Sequence, residues 1–284
     1  MRLNAALPLR LSLAIHRLIG KALYRLSSKL RRLVHRNLEI CFPELDAGAV
    51  EALAKRHFEA LGMSIAECAA GWFGSERPGR FDIVGTEHLN AAVALGRGVI
   101  LYTGHFTTLE IMGQSFWGGL APRFAAMASH RSSPLLEAIQ TRGRMRMADE
   151  MISSASVRSL LKALKKGSVI WYAPDLAYRD GVLVPFFNVP AMTNTATSKI
   201  ARMSGATVLP FSYRRLERGA RYEIHFFPPL AGFPSDDPVE DTRRLTTYLE
   251  QFIRVCPEQY HWIQKRFRWR PPELPDLYAR PSRS

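Results

Sequence analysis

Two short runs constrain this chain more than anything else in it. GVILYTG (98–104) and SVIWYAPD (168–175) are continuous apolar stretches, each about one strand long and each ending at Gly or Pro chemistry. A strand that is apolar on both faces must be covered on both, as in the centre of a parallel sheet. SASVRSLLKALKKG (154–167) reads as an amphipathic helix ending in basic residues and a Gly, which suits its C-terminal dipole. NTATSKIARMSG (194–205) reads as a helix, ATVLPFSYRR (206–215) and RYEIHFFPPL (221–230) as strands, and DDPVEDTRRLTTYLEQFIRVC (236–256) as a long final helix. RFDIVGTEHL (80–89) is a strand followed by a turn. Strands alternating with helices predict an α/β fold with a central, mostly parallel sheet flanked by helices. Ligand sites in such sheets lie at the carboxyl ends of the strands. GHFTTLE (104–110) and the APD at 173–175 both fall there.

The N-terminal third is helical in pattern. In LDAGAVEALAKRHFEALGMSIAECAAGW, Val50, Leu53, Phe58, Leu61 and Ile65 recur as a buried stripe, and Asp46 stands as N-cap. Before it, residues 1–38 carry Arg2, Arg10, Arg17, Lys21, Arg25, Lys29, Arg31, Arg32 and Arg36 and no acid. Leu11, Ile15, Leu18, Ala22 and Leu26 share one helical face there, which is the pattern of a basic amphipathic helix lying on a membrane. The alternative is a helix packed on its own domain. No run of 18 apolar residues predicts a membrane span, and the charges at Arg10, Arg17 and Lys21 break any secretory signal. The expected division is a membrane-associating segment at 1–38 and one α/β domain at 39–284.

The net charge of +14 predicts an anionic partner. No helix-turn-helix, RNP or zinc-finger signature accompanies it, so nucleic acid is not expected. Cys41, Cys68 and Cys256 are scattered and odd in number, which supports neither a disulfide framework nor a zinc site.

GHFTTLE carries the chemistry. His105 follows a strand and Glu110 falls in the first turns of the next helix. If Glu110 reaches back, its carboxylate fixes the imidazole tautomer and frees the other ring nitrogen as a general base. Gly104 gives the backbone room to turn. A metal site would need further ligands at suitable spacing, and none is present. On this stretch alone, a histidine satisfied within the core remains an open reading.

GHFTTLE, TRGRMRM, ALKKGSVIWYAPD, VLVPFFNVPAMTNTATSKIARMSGATVLPF and PEQYHWIQKRFRWRP follow one another in this order. Together they resemble the late acyltransferases of lipid A biosynthesis, the lauroyl/myristoyl transferases of Gram-negative bacteria, from about RRLVHRNLEICFPEL to the C-terminus. WYAPD and YHWIQKRF are the specific elements, whereas H-x4-[DE] is shared with the wider glycerolipid acyltransferases. The resemblance implies a glycerolipid-acyltransferase-like fold and transfer of a fatty acyl chain from acyl carrier protein to a hydroxyl of a lipid A precursor. The carrier thioester is the co-substrate, and no cofactor or metal is implied.

By the same resemblance His105 and Glu110 form the catalytic pair. Arg144, with Arg142 and Arg146 as close alternatives, serves the oxyanion or a phosphate. Asp175 holds an arginine or the acceptor, or caps a turn. Backbone N–H groups after His105 are a second source of oxyanion stabilisation. The implied setting is the cytoplasmic face of the inner membrane, with an anionic leaflet as partner. HWIQKRFRWRP (261–271) suits a membrane interface, or else packs on the domain. The loop APDLAYRDGV (173–182) departs from the family's usual polar H-D-Y-G continuation, which leaves a lysophospholipid, ornithine lipid or glycolipid acceptor as the alternative.

Overall fold

The computed structural model describes residues 7–75, 79–116, 120–128, 133–216 and 220–279. Arg2 and the rest of residues 1–6 lie outside them. Three helices open the chain: α1 (Leu9–Leu26), α2 (Ser28–Cys41) and α3 (Ala47–Phe73). There follow β1 (Phe81–Val84), α4 (Thr86–Ala94), β2 (Val99–Tyr102), the short α5 (Leu109–Met112), β3 (Phe124–Ala128), α6 (Pro134–Arg144), β4 (Glu150–Ser153), α7 (Val157–Lys165) and β5 (Val169–Tyr172). A hairpin of β6 (Val182–Phe186) and β7 (Val189–Thr193) precedes α8 (Ala196–Ser204), β8 (Thr207–Arg215), β9 (Tyr222–Phe226) and α9 (Pro238–Val255).

The described strands form one sheet in the order β1-β9-β8-β2-β5-β3-β4, beside the separate β6–β7 hairpin. Every neighbouring pair in the large sheet is parallel except β8–β9. The expected α/β architecture, a mostly parallel sheet flanked by helices, is therefore the one the chain adopts. The two apolar runs are its central strands: Val99, Ile100, Leu101, Val169 and Ile170 are all buried. They pair side by side, Val99 opposite Val169 through Tyr102 opposite Tyr172.

Local chemistry sets the helix ends. Asp46 caps α3 by accepting from the Ala49 N–H at 2.7 Å. Asp237 accepts from Val239 and Glu240 at the start of α9, with Pro238 in the first turn. The expected stripe of α3 holds for Val50, Leu53 and Phe58. It fails at its end, where Ile65 faces solvent and Leu61 lines a cleft, while the buried face continues through Ala66, Glu67, Ala69 and Ala70.

α1 lies along α3 at very short range. A Cβ on Gly62 would stand 2.2 Å from the His16 carbonyl oxygen, and one on Gly20 would stand 2.1 Å from that of Phe58. Ser12, Leu13, His16 and Gly20 form the buried face. The stripe read from the sequence points the other way: Leu18 is 64% and Leu26 84% exposed, and Leu11 and Ile15 are exposed as well. One face packs on the domain, as the alternative reading expected, and the apolar stripe of the other reading is left exposed. No helix among the described residues is long and apolar enough to cross a membrane. In α2, Val34 and Leu38 belong to the core of the α/β domain.

After α9 the chain returns to the segment that follows β2. Phe106 makes an isolated antiparallel bridge to Tyr260, the Thr107 N–H donates to the Gln259 carbonyl at 2.8 Å, and the His261 N–H donates to that of His105 at 3.0 Å. Trp262 and Phe267 are fully buried. For these two the membrane-interface reading of 261–271 gives way to packing, since the segment closes the base of the site.

Candidate active site

β2 and β5 are adjacent and parallel, with residue n of one opposite residue n + 70 of the other. Each overhangs its last paired residue by three positions, one to His105 and the other to Asp175. The sheet thus delivers the two side chains to the same place. His105 Nδ1 lies 2.5 Å from Asp175 Oδ1, and the His105 backbone N–H donates to Oδ2 at 2.9 Å. The Tyr260 hydroxyl also donates to this carboxylate. Gly104 makes the approach possible, because a Cβ there would meet Leu249 Cδ1 at 2.5 Å and Asp175 Oδ2 at 3.1 Å. With Nδ1 held by Asp175, Nε2 is the nitrogen left for chemistry.

The electrostatics favour an ionised Asp175. Burial works to raise its pKa, but the His105 charge and hydrogen bonds outweigh it and bring the value down to about 2. Burial likewise works to lower the His105 pKa. The Asp175 charge and hydrogen bond overcome that, and the net direction is upward. The His105 side chain remains 34% exposed at the edge of a cleft of about 600 Å³.

Glu110 does not reach back to His105. Its carboxylate takes the Arg144 Nη2–H at 2.5 Å and Nε–H at 3.1 Å, the Trp72 Nε1–H at 2.7 Å and the Gln140 Nε2–H at 3.3 Å. The Arg144 fork on α6, with Trp72 and Gln140, holds the carboxylate instead. Burial acts to raise the Glu110 pKa, and the Arg144 charge and these bonds more than reverse it. Arg144 also donates to the Met127 carbonyl at 2.7 Å at the end of β3, so one ion pair joins α3, α5, α6 and the sheet. Gly143 lets α6 come this close, since a Cβ there would lie 2.3 Å from Trp72 Cγ.

Of the three arginines in TRGRMRM, Arg144 alone lines the cleft. Arg142 is exposed. Arg146 donates to the carbonyls of Trp72 at 2.7 Å and Gly74 at 3.2 Å, and so caps the end of α3. The backbone donors expected for an oxyanion are largely engaged: His105 N–H by Asp175, Thr107 N–H by Gln259 and Leu109 N–H by Phe106. The rest of the cleft wall is mainly apolar, with Leu61, Phe124, Met127, Met147, Trp171 and Leu176. Phe116 stacks on Phe124 at 4.1 Å behind it. Among the described residues, no three His, Cys, Asp or Glu converge as a metal-binding group.

The sequence profile of the bacterial lipid A biosynthesis acyltransferases matches residues 1–269. The chain belongs to that family. This acyltransferase is 37% identical over 265 residues to the lipid A biosynthesis lauroyltransferase of Escherichia coli (strain K12), covering 92% of this chain and 86% of that one. It is 34% identical over 251 residues to the palmitoleoyltransferase of the same organism, covering 87% and 81%. It is 24% identical over 269 residues to the myristoyltransferase, covering 92% and 82%. It is an acyltransferase of lipid A biosynthesis.

In the acyltransferase, Asp175 takes the place beside His105 that the sequence assigned to Glu110. The signal was present in the sequence: V-I-L-Y-T-G-H and V-I-W-Y-A-P-D superpose position by position once the two runs are read as neighbouring strands. Trp72 and Gln140, which hold Glu110, carry no such signal.

Proposed function

We propose that the protein transfers a fatty acyl chain from an acyl carrier protein thioester to a hydroxyl of a lipid A precursor, with His105 as general base and Asp175 as the carboxylate that orients it. The observation that carries this reading is the His105 ring held by Asp175 through Nδ1 at the edge of an apolar cleft. Nε2 takes the proton of the acceptor hydroxyl as its oxygen attacks the thioester carbon. The tetrahedral oxyanion then collapses, the C–S bond breaks, and the leaving sulfur recovers the proton from the imidazolium. The products are an ester and the free thiol of the carrier. General-base assistance of this kind contributes about 10²–10⁴-fold. Arg144, held in the cleft wall by Glu110, supplies positive charge near the forming oxyanion. The apolar wall receives the acyl chain. The lauroyl-, palmitoleoyl- and myristoyltransferase names of the relatives support a medium-to-long saturated or monounsaturated chain.

The exposed stripe of α1, with Arg10, Arg17, Lys21 and Arg25 alongside, supports peripheral docking on the anionic cytoplasmic leaflet of the inner membrane.

The test is mass-spectrometric. Purified protein is incubated with carrier thioesters from C10 to C16 and a tetra-acylated lipid A precursor, with His105→Ala and Asp175→Asn alongside. One added acyl mass, absent with His105→Ala, is expected. Acyl transfer to a lysophospholipid, ornithine lipid or other glycolipid in place of the precursor would refute the acceptor. Undiminished transfer by His105→Ala would refute the base.

A further inference from the structure

The last strongly patterned segment, YHWIQKRF, ends on an arginine that the reaction above does not use. Arg266 is only 3% exposed. It donates to the Met192 carbonyl at 2.8 Å and the Thr193 hydroxyl at 2.7 Å, and its guanidinium lies 5.1 Å from the Phe186 ring centre. Its Nε is buried with no hydrogen-bond partner. No carboxylate among the described residues forms an ion pair with it. A buried cation without a counter-charge is costly, and proteins keep one only where an opposite charge lies within reach.

The carboxylate that shares a cavity with it is Asp175. The two side chains line the same small cavity, together with Tyr102, Thr193, Thr242 and Thr246, with room for no more than about one water. Asp175 faces His105 on one side and this cavity on the other. We infer that Arg266 is a positioning residue of the catalytic base: it balances the Asp175 charge across the cavity and keeps the His105–Asp175 pair in its working protonation state. The inference rests on the reading of His105 as base and adds the buried cation behind it.

The direction of the effect follows from the charges around the site. The imidazole of His105 faces Asp175 from the loop after β5, Glu110 from α5, Arg144 from α6, and His261 from the C-terminal segment. Asp175 faces, besides His105, the hydroxyls of Tyr102, Tyr213 and Tyr260. Arg266 is the one arginine lining the cavity behind Asp175. A cation there opposes the charging of His105. Its removal favours the imidazolium, and the pH at which the base becomes neutral rises.

Arg266→Gln removes the charge and keeps a donor for Met192 and Thr193, whereas Arg266→Lys keeps the charge and loses the fork. The acid limb of kcat/KM, measured with the full-length protein, is expected to move up by about half to one pH unit in Arg266→Gln. The Gln variant then approaches the wild-type rate near pH 9. In Arg266→Lys the limb stays in place. Thermal unfolding supplies a reading that needs no substrate and stands even if His105 proves not to be the base. Because each single variant leaves the other charge unbalanced, Asp175→Asn with Arg266→Gln is expected to lose less Tm than the two single losses summed. An acid limb unmoved by Arg266→Gln, or single losses of Tm that simply add in the double variant, overturns the inference.

Discussion

Asp175→Asn separates the two carboxylates that compete for the role beside His105. Asp175 accepts from the His105 ring, from the His105 backbone N–H and from Tyr260. An asparagine of the same shape has one acceptor oxygen. If that oxygen keeps the backbone N–H, its NH₂ faces Nδ1. The imidazole then shifts its proton to Nε2, and the nitrogen facing the cleft can no longer take one. The expected loss in kcat is the general-base contribution, about 10²–10⁴-fold. The pH profile carries the sharper information. An adjacent carboxylate moves a partner's pKa by about 1–3 units, and Asp175 is the main influence raising that of His105. Its removal moves the acid limb of the residual activity down by at least about one unit. Glu110→Gln is the control. It breaks the ion pair with Arg144 and costs about 3–5 kcal/mol of stability, but it moves the limb less. Steady-state kinetics from pH 5 to 9 on both variants, with Tm recorded in parallel, make the comparison. If Glu110→Gln lowers the limb and Asp175→Asn leaves it in place, the geometry described for the site is refuted.

Other outcomes follow from the same structure. Gly104→Ala drives a methyl against Leu249 and Asp175. It is expected to lower kcat at least tenfold and to reduce Tm, whereas an unaltered rate would show that the approach of Asp175 is not tight. Replacing Leu11 and Leu18 by Asp is expected to abolish co-sedimentation with anionic vesicles at unchanged Tm, because both side chains are exposed and burying each in a lipid interface is worth about 1.5–3 kcal/mol. Retained binding would remove α1 from the docking surface. Asp175, brought down to about 2 in the folded protein, contributes on the order of 2 kcal/mol above its unfolded pKa of about 4. That contribution is lost as pH falls toward 2. Asp175→Asn therefore flattens the acid limb of stability measured by denaturant unfolding between pH 2 and 5.

The central strands were legible because burial on both faces leaves an uninterrupted apolar run, as at 99–102 and 169–172. The caps Asp46 and Asp237 act through side-chain chemistry that a sequence displays directly, although the reading named the first alone. β3 and β4 were missed because FAAMA and EMIS are short and carry little β-branched character. The β6–β7 hairpin was missed because its turn is Phe187–Asn188, both at positive φ, where Asn-Gly chemistry would have announced it. In the site, His105 was found from its own motif and Asp175 from the resemblance. Their pairing was not found, because five residues along the chain look closer than 70 until the sheet is laid out. Arg144 was named for a ligand and Glu110 for His105, yet each is the other's partner. Two opposite charges brought together by a helix packing on a helix leave no periodic trace.

The equal overhang of β2 and β5 also separates what this enzyme must keep from what it is free to vary. The contact of His105 with Asp175 is set by a hydrogen-bonded ladder between two strands, and a slip of one residue there displaces a partner by roughly 3.3 Å and turns its side chain to the other face. The segment between them supplies Phe124, Ala126, Met127, Met147 and Ala148 to the cleft wall and contributes no residue to the ladder that joins β2 to β5. Substitutions at those cleft-facing positions can reshape the cavity while His105 and Asp175 stay in contact. On the proposed reading, a lineage of such enzymes drifts from one acyl-chain length to another through that stretch of sequence, with the contact between His105 and Asp175 inherited intact.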